Sequence, residues 1–253
     1  MSFLLLHPVV VFVISFVVLW LAAVLGLHLK KATGFDQEKR SDFALIQAAT
    51  LTLLGLLIGF SFSMAVGRYD QRKNFEEAEA NAIGTEYLRA DLLAPADRDK
   101  IRGLLKKYAE LRIRYYQAEL DAVDSIDTRT AQLQGELWSA VVGPAGQKPD
   151  PVVALVVSGM NDVINAQGYA LAAWRYHVPV SAMVLMVCIA ALCNVRVGFG
   201  SSSVGPSGVL LMVLPLFVAT TFMLIYDIDS PRRGLIRVVP ANLESLLASL
   251  QAQ

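Results

Sequence analysis

Four stretches of this chain carry no Asp, Glu, Lys or Arg: residues 1–29, 43–67, 176–195 and 197–226. Each approaches or exceeds the roughly 20 residues a helix needs to cross a bilayer. Hydrocarbon excludes charge, so no other feature restricts the fold as strongly. The last stretch includes a loop, which leaves a helix at about 208–226. Apolar residues make up 55% of the chain and mean hydropathy is positive, more than a soluble domain requires. The sequence therefore predicts an all-α integral membrane protein with four transmembrane helices. The first stretch is expected to be a retained span. It has no basic leader, its apolar core at 9–27 exceeds the roughly 7–15 residues of a signal core, and no A-x-A site precedes Lys30.

Cys188 and Cys193 both fall in the third span, five residues apart and so on different helix faces, which predicts neither a disulfide nor a metal site. Net charge is zero, so no global field recruits nucleic acid. His7, His28 and His177 sit at span ends, where the interface satisfies them, and Trp20, Trp138 and Trp174 need no special role. No nucleophile–base pair, metal spacing or phosphate loop is present, so an enzyme ranks last among the function classes, and no cofactor is implied.

The polar insert between spans two and three, 68–175, lacks hairpin signals and sustained β alternation, so it should be helical. One helix is expected over 69–93. Pro95 then opens a second, in which Ile101, Leu104, Leu105, Tyr108, Leu111 and Tyr115 form an apolar stripe opposite Lys106, Lys107, Glu110 and Arg114. A third is expected from about 128 to 142. The run "GPAGQKPDP" breaks the chain before a fourth at about 152–174, which Pro179 predicts to be one bent rod with the third span. Pro240 opens a short helix with Leu243, Leu246, Leu247 and Leu250 on one side. The expected division is thus 1–67, first two spans; 68–175, helical insert; 176–226, last two spans; and 227–253, tail. An even span number puts both termini and the insert on one side, and a small excess of Lys and Arg there places them in the cytoplasm.

The second span holds the most informative residues. Gly55, Gly59 and Ser63 form a small-xxx-small row that permits close helix approach, either within one subunit or between subunits. Thr52, Leu56 and Phe60 form a neighbouring row. An apolar row flanked by hydroxyls suits a narrow pore that gates by dewetting, and lipid-facing residues are the alternative. Glu76, Glu79 and Glu86 fall within reach of one helical face, either as a solvated face or, in an oligomer, as acidic rings in a vestibule that attracts cations. After the fourth span, "DIDSPRRG" offers Asp227 and Asp229. These are too few oxygens for a hard cation, and they are expected to pair with Arg232 or Arg233 across a Ser230-Pro231 turn.

Gly59-Phe60, then seven residues, then Arg68-Tyr69 resembles the end of the second transmembrane helix of bestrophins, and the chain is most similar to the bacterial bestrophin-like group. "GFSFSMAVGRYDQRKN" and "DIDSPRRGLIRV" are its most recognisable pieces. The order of elements is similar too: four spans, a helical cytosolic insert between the second and third, and cytosolic termini. The resemblance implies a homo-oligomer, a pentamer, in the bacterial inner membrane, conducting small monovalent inorganic ions through a pore lined by the second helix. It implies that Thr52, Leu56 and Phe60 form the neck and that Ser63 and Arg68 lie on its cytosolic side, while Gly55 and Gly59, by their spacing, are expected to pack helices together. Thr52 is polar where bestrophins tend to be bulky and apolar, and the acidic calcium cluster of animal bestrophins is missing, so calcium activation is not implied. The alternative is a non-conducting oligomeric scaffold whose cytosolic helices bind a partner.

Overall fold

The computed structural model describes residues 7–33, 40–147, 150–201, 209–232 and 234–252, and no strand occurs among them. The helices are α1 (Pro8–Thr33), α2 (Arg40–Arg89), α3 (Pro95–Gln117), α4 (Leu120–Gln147), α5 (Pro151–Arg175), α6 (Val180–Gly200), α7 (Leu210–Asp229) and α8 (Ala241–Gln251), with a single 3-10 turn at Ala90–Leu92. Four helical stretches are long and apolar enough to cross a membrane: Pro8–Lys31, one within Ala44–Leu92, one within Pro151–Gly200, and Leu211–Asp229. In the second, the charge-free part is 44–67. The chain forms two compact units: 1–67 with 177–237, and 68–176 with 238–253.

In the first unit α1 lies against α6 and α7, around a core of Leu19, Leu54, Met186, Ala190, Cys193, Val218 and Phe222. Its outward faces are apolar as well, with Val13, Leu21, Leu25, Val184, Leu192 and Phe217 exposed, as a lipid solvent requires. The close helix crossing of this unit lies at Gly26 and Gly198. A Cβ on Gly26 would collide with the Val195 carbonyl, and one on Gly198 with the Ala23 carbonyl. Two backbones therefore touch where neither glycine has a side chain, the usual way lipid-embedded helices gain dispersion contact.

In the second unit the stripe on α3 is buried, with Ile101, Leu105, Tyr108 and Tyr115 inside and Leu104 and Leu111 partly so. They meet Ile83 and Tyr87 of α2, Leu133 and Leu137 of α4, Val156, Met160 and Val163 of α5, and Leu243 and Leu250 of α8. Asp150 caps α5, its carboxylate accepting the Val152 N–H at 2.7 Å, with Pro151 at the first helical position.

Three boundaries differ from the sequence expectation. Helix α4 starts at Leu120 rather than about 128, and runs through Pro144 to Gln147. The Ser125 and Thr128 hydroxyls bond back to the Ala122 and Asp124 carbonyls inside the helix. Helix α6 extends past Arg196 to Gly200. The bent rod expected at Pro179 is a full break: Tyr176 is extended (φ −82°, ψ 125°), and Pro179 lies outside α6 as its N-cap, its carbonyl accepting the Ala182 N–H. The carbonyls at the end of α5 find another donor. Arg72 of α2, wholly buried, bonds Ala173 O at 3.2 Å and Tyr176 O at 3.0 Å, which places a cation at a helix C-terminus.

Candidate functional site: an unpartnered face of α2

The first unit leaves one side of α2 uncovered. Thr52, Gly55, Leu56, Gly59, Phe60 and Ser63 are all exposed, while Leu54, Ser61 and Ala65 on the other side are buried. Period 3.6 explains the pattern, because steps of three and four residues hold one azimuth. Phe60 is 62% exposed and Leu56 53%. Among the described residues a Cβ on Gly55 or Gly59 would meet nothing within 4 Å, so these two glycines serve no packing against them. That part is played by Gly26 and Gly198, and the small-xxx-small row Ala22 to Gly26 was the sequence signal available. The Thr52 hydroxyl bonds the Ala48 carbonyl at 2.9 Å, so it presents an oxygen to the face without an unsatisfied hydrogen.

Arg68 does not share this face. Five residues turn a helix by about 140° from Ser63, and Arg68 is half-buried, with its Nε enclosed and lacking a hydrogen-bond partner.

The three glutamates of α2 do share one side, but it is the buried side of the second unit, which corrects both the solvated-face and the acidic-ring expectations. Glu76, Glu79 and Glu86 are 2%, 0% and 0% exposed. Each occupies a separate environment. Glu76 caps α8 from outside: Oε1 accepts the Leu243 N–H at 2.9 Å and Oε2 the Asn242 side chain at 2.6 Å. A carboxylate there satisfies an orphan N–H and meets the positive end of the helix dipole. Glu79 holds Arg112 of α3 through Nε at 2.5 Å and Nη2 at 3.5 Å, and accepts the Tyr116 hydroxyl at 3.2 Å. The guanidinium lies 4.3 Å from the Tyr115 ring centre, and Trp174 packs edge-on against Tyr115 and Tyr116. Burial works against the Arg112 charge, but the charge and hydrogen bond of Glu79 together with the Tyr108 and Tyr116 oxygens outweigh it, so the guanidinium holds its proton more tightly than usual. Burial first and Glu79 second raise the Tyr108 and Tyr116 hydroxyls, keeping both neutral. Glu86 has neither kind of partner: both its oxygens are enclosed and unbonded.

The sequence reading missed Arg72 and Arg112. Arg112 was legible as an intruder, since it falls in the same stripe as Ile101, Leu105, Tyr108 and Tyr115.

In the last turn of α7, Asp227 and Asp229 accept from backbone. Asp227 takes the Leu235 and Ile236 N–H groups at 2.6 and 3.1 Å, and Gly234 has no room for a Cβ against it. Asp229 takes the Val178 N–H at 3.0 Å, with His177 Nδ1 3.4 Å away. The carboxylates thus hold the chain leaving α7 and the start of α6. Arg233 lies outside the described residues. Cys188 is exposed and Cys193 buried, and both are free thiols. Among the described residues no group of three or more His, Cys, Asp or Glu is placed to hold a metal ion.

No curated protein matches the chain. Among solved structures, a point variant of a bacterial bestrophin homologue from Klebsiella pneumoniae superposes with a TM-score of 0.65 at 14% identity, covering 95% of this chain and 99% of that one. A second variant of the homologue gives 0.65 at 13% identity over 97% and 99%, and a structure described as a membrane protein gives 0.66 at 14% over 95% and 99%. At such identities the likeness is one of fold. The family model for the bestrophin-like domain matches residues 9–243, nearly the whole chain, and the protein belongs to the bestrophin-like family.

Proposed function

We propose that this chain is one subunit of a homo-oligomeric ion channel, a pentamer, whose copies bring the uncovered face of α2 around a shared axis. The observation that carries this reading is the composition of that face. On α1 the exposed residues from Val9 to Leu25 are all bulky and apolar, whereas here two glycines, a threonine and a serine interrupt Leu56 and Phe60. Lipid gains nothing from exposed glycine and hydroxyl groups, while a neighbouring helix and a hydrated path gain from both. Leu56 and Phe60 form the apolar neck, Thr52 and Ser63 flank it, and small monovalent ions pass. The insert and both termini face the cytoplasm of a bacterial cell, and the chain has no catalytic role. In the second unit the solvent-exposed carboxylates of α2 are Asp70 and Glu77, and charge selection acts there rather than at Glu76, Glu79 or Glu86.

An apolar constriction blocks ions without charge, by dewetting. Phe60→Ala and Leu56→Ala should therefore raise ion flux from liposomes at matched protein content. Flux equal to wild type in both, from intact oligomers, sinks the neck assignment. A second reading, a non-conducting scaffold, draws on an apolar groove of about 710 Å³ in the second unit, lined by Trp138, Val153, Ala154 and Val157. Silence of intact oligomers across salts and voltages favours it.

A further inference from the structure

Glu86 is the one carboxylate of the buried trio on α2 that accepts no hydrogen bond among the described residues. It is fully buried and aimed at Gly159 of α5, where a Cβ would collide with its Oε2 and with Nη1 of Arg89. Neither oxygen has a hydrogen-bond partner among the described residues, in contrast to the two donors on Glu76 and the arginine and tyrosine on Glu79. The charged groups facing it are Arg89, from its own helix, and Asp162, from α5. Arg89 is engaged elsewhere: its Nη1 lies 3.4 Å from the Leu155 carbonyl and 3.9 Å from Asp162. An ionised carboxylate without donors is costly to bury, and a neutral carboxylic acid far less so.

We propose that Glu86 is a proton-operated latch between α2 and α5: protonated, it fits the slot left by Gly159; ionised, it drives the two helices apart there. Burial pushes its pKa up to about 8, with Arg89 pulling down and Asp162 pushing up. The folded value lies above the ordinary one of 4.5. The stabilisation is therefore complete below that ordinary value and is lost as pH rises to about 8. This device belongs to the second unit and stands whether or not the chain conducts.

The test is hydrogen–deuterium exchange of the full-length protein, with labelling times scaled for intrinsic rate and read in peptides covering 151–165. In wild type the local opening constant should rise by nearly tenfold per pH unit between about pH 5 and about pH 8, then level off. Glu86→Gln, which keeps the shape and cannot ionise, should be flat. A pH-independent wild type, or the same slope in Glu86→Gln, overturns the latch. If the variant does not fold, wild-type infrared difference spectra with labelled glutamate decide: a protonated glutamic acid must be present at about pH 6 and absent at about pH 9. Its absence at the lower pH overturns the proposal.

Discussion

Arg112→Met tests the interior of the second unit. The Arg112 and Glu79 side chains are both 0% exposed, and the guanidinium fills a place between α2 and α3 while lying over Tyr115. Methionine keeps most of the volume and removes the charge, leaving the buried Glu79 carboxylate with the Tyr116 hydroxyl as its remaining donor among those described. Breaking a buried pair in this way costs about 3–5 kcal/mol, because the loss is dominated by the stranded charge. For a chain of 253 residues, about 2–4 °C accompanies each kcal/mol, so the melting temperature should fall by roughly 10 °C. Trp174, in contact with Tyr115 and Tyr116, supplies an intrinsic fluorescence signal for the melt. The double variant Glu79→Met with Arg112→Met removes both charges and should recover most of the loss, since an apolar pair of similar volume replaces an ion pair at little cost. An Arg112→Met melt within about 2 °C of wild type would show that this pair is not what α2 and α3 depend on.

Three further outcomes follow from named positions. Glu76→Ala removes both acceptors that hold the start of α8, so limited proteolysis should cut near residues 238–242 faster than in wild type while the α3–α5 core stays protected. Gly198→Val places a branched side chain against the Ala23 carbonyl and should cost about 3 kcal/mol by overpacking, read as a lower melt and less monodisperse protein. Gly55→Ala, in open space within the chain, should leave the detergent-solubilised monomer's melt unchanged.

The spans were legible because exclusion of charge from hydrocarbon acts residue by residue and needs no knowledge of partners. The stripe on α3 was legible for a similar reason, since helical spacing is local. The three glutamates show where this ends. That they share a face follows from spacing, but which side the face takes depends on groups 33 residues away in α3 and 167 residues away in α8. The α5–α6 junction failed differently. A proline permits either a kink or a break, and the groups that hold the broken end of α5 include Arg72, 101 residues upstream of the carbonyl it caps. On α2 itself, glycine spacing predicts a surface for close approach, and that the close contact within the first unit lies instead at Gly26 and Gly198 needed the fold.

The central claim is that the Thr52–Ser63 face of α2 surrounds an axis shared by several copies. Imaging of the purified oligomer by electron cryo-microscopy tests it most directly. The account predicts five copies with α2 innermost, Leu56 and Phe60 projecting toward the axis, and Gly55 and Gly59 at the approach of neighbouring α2 helices. A monomer, or an oligomer in which this face of α2 meets lipid, contradicts it.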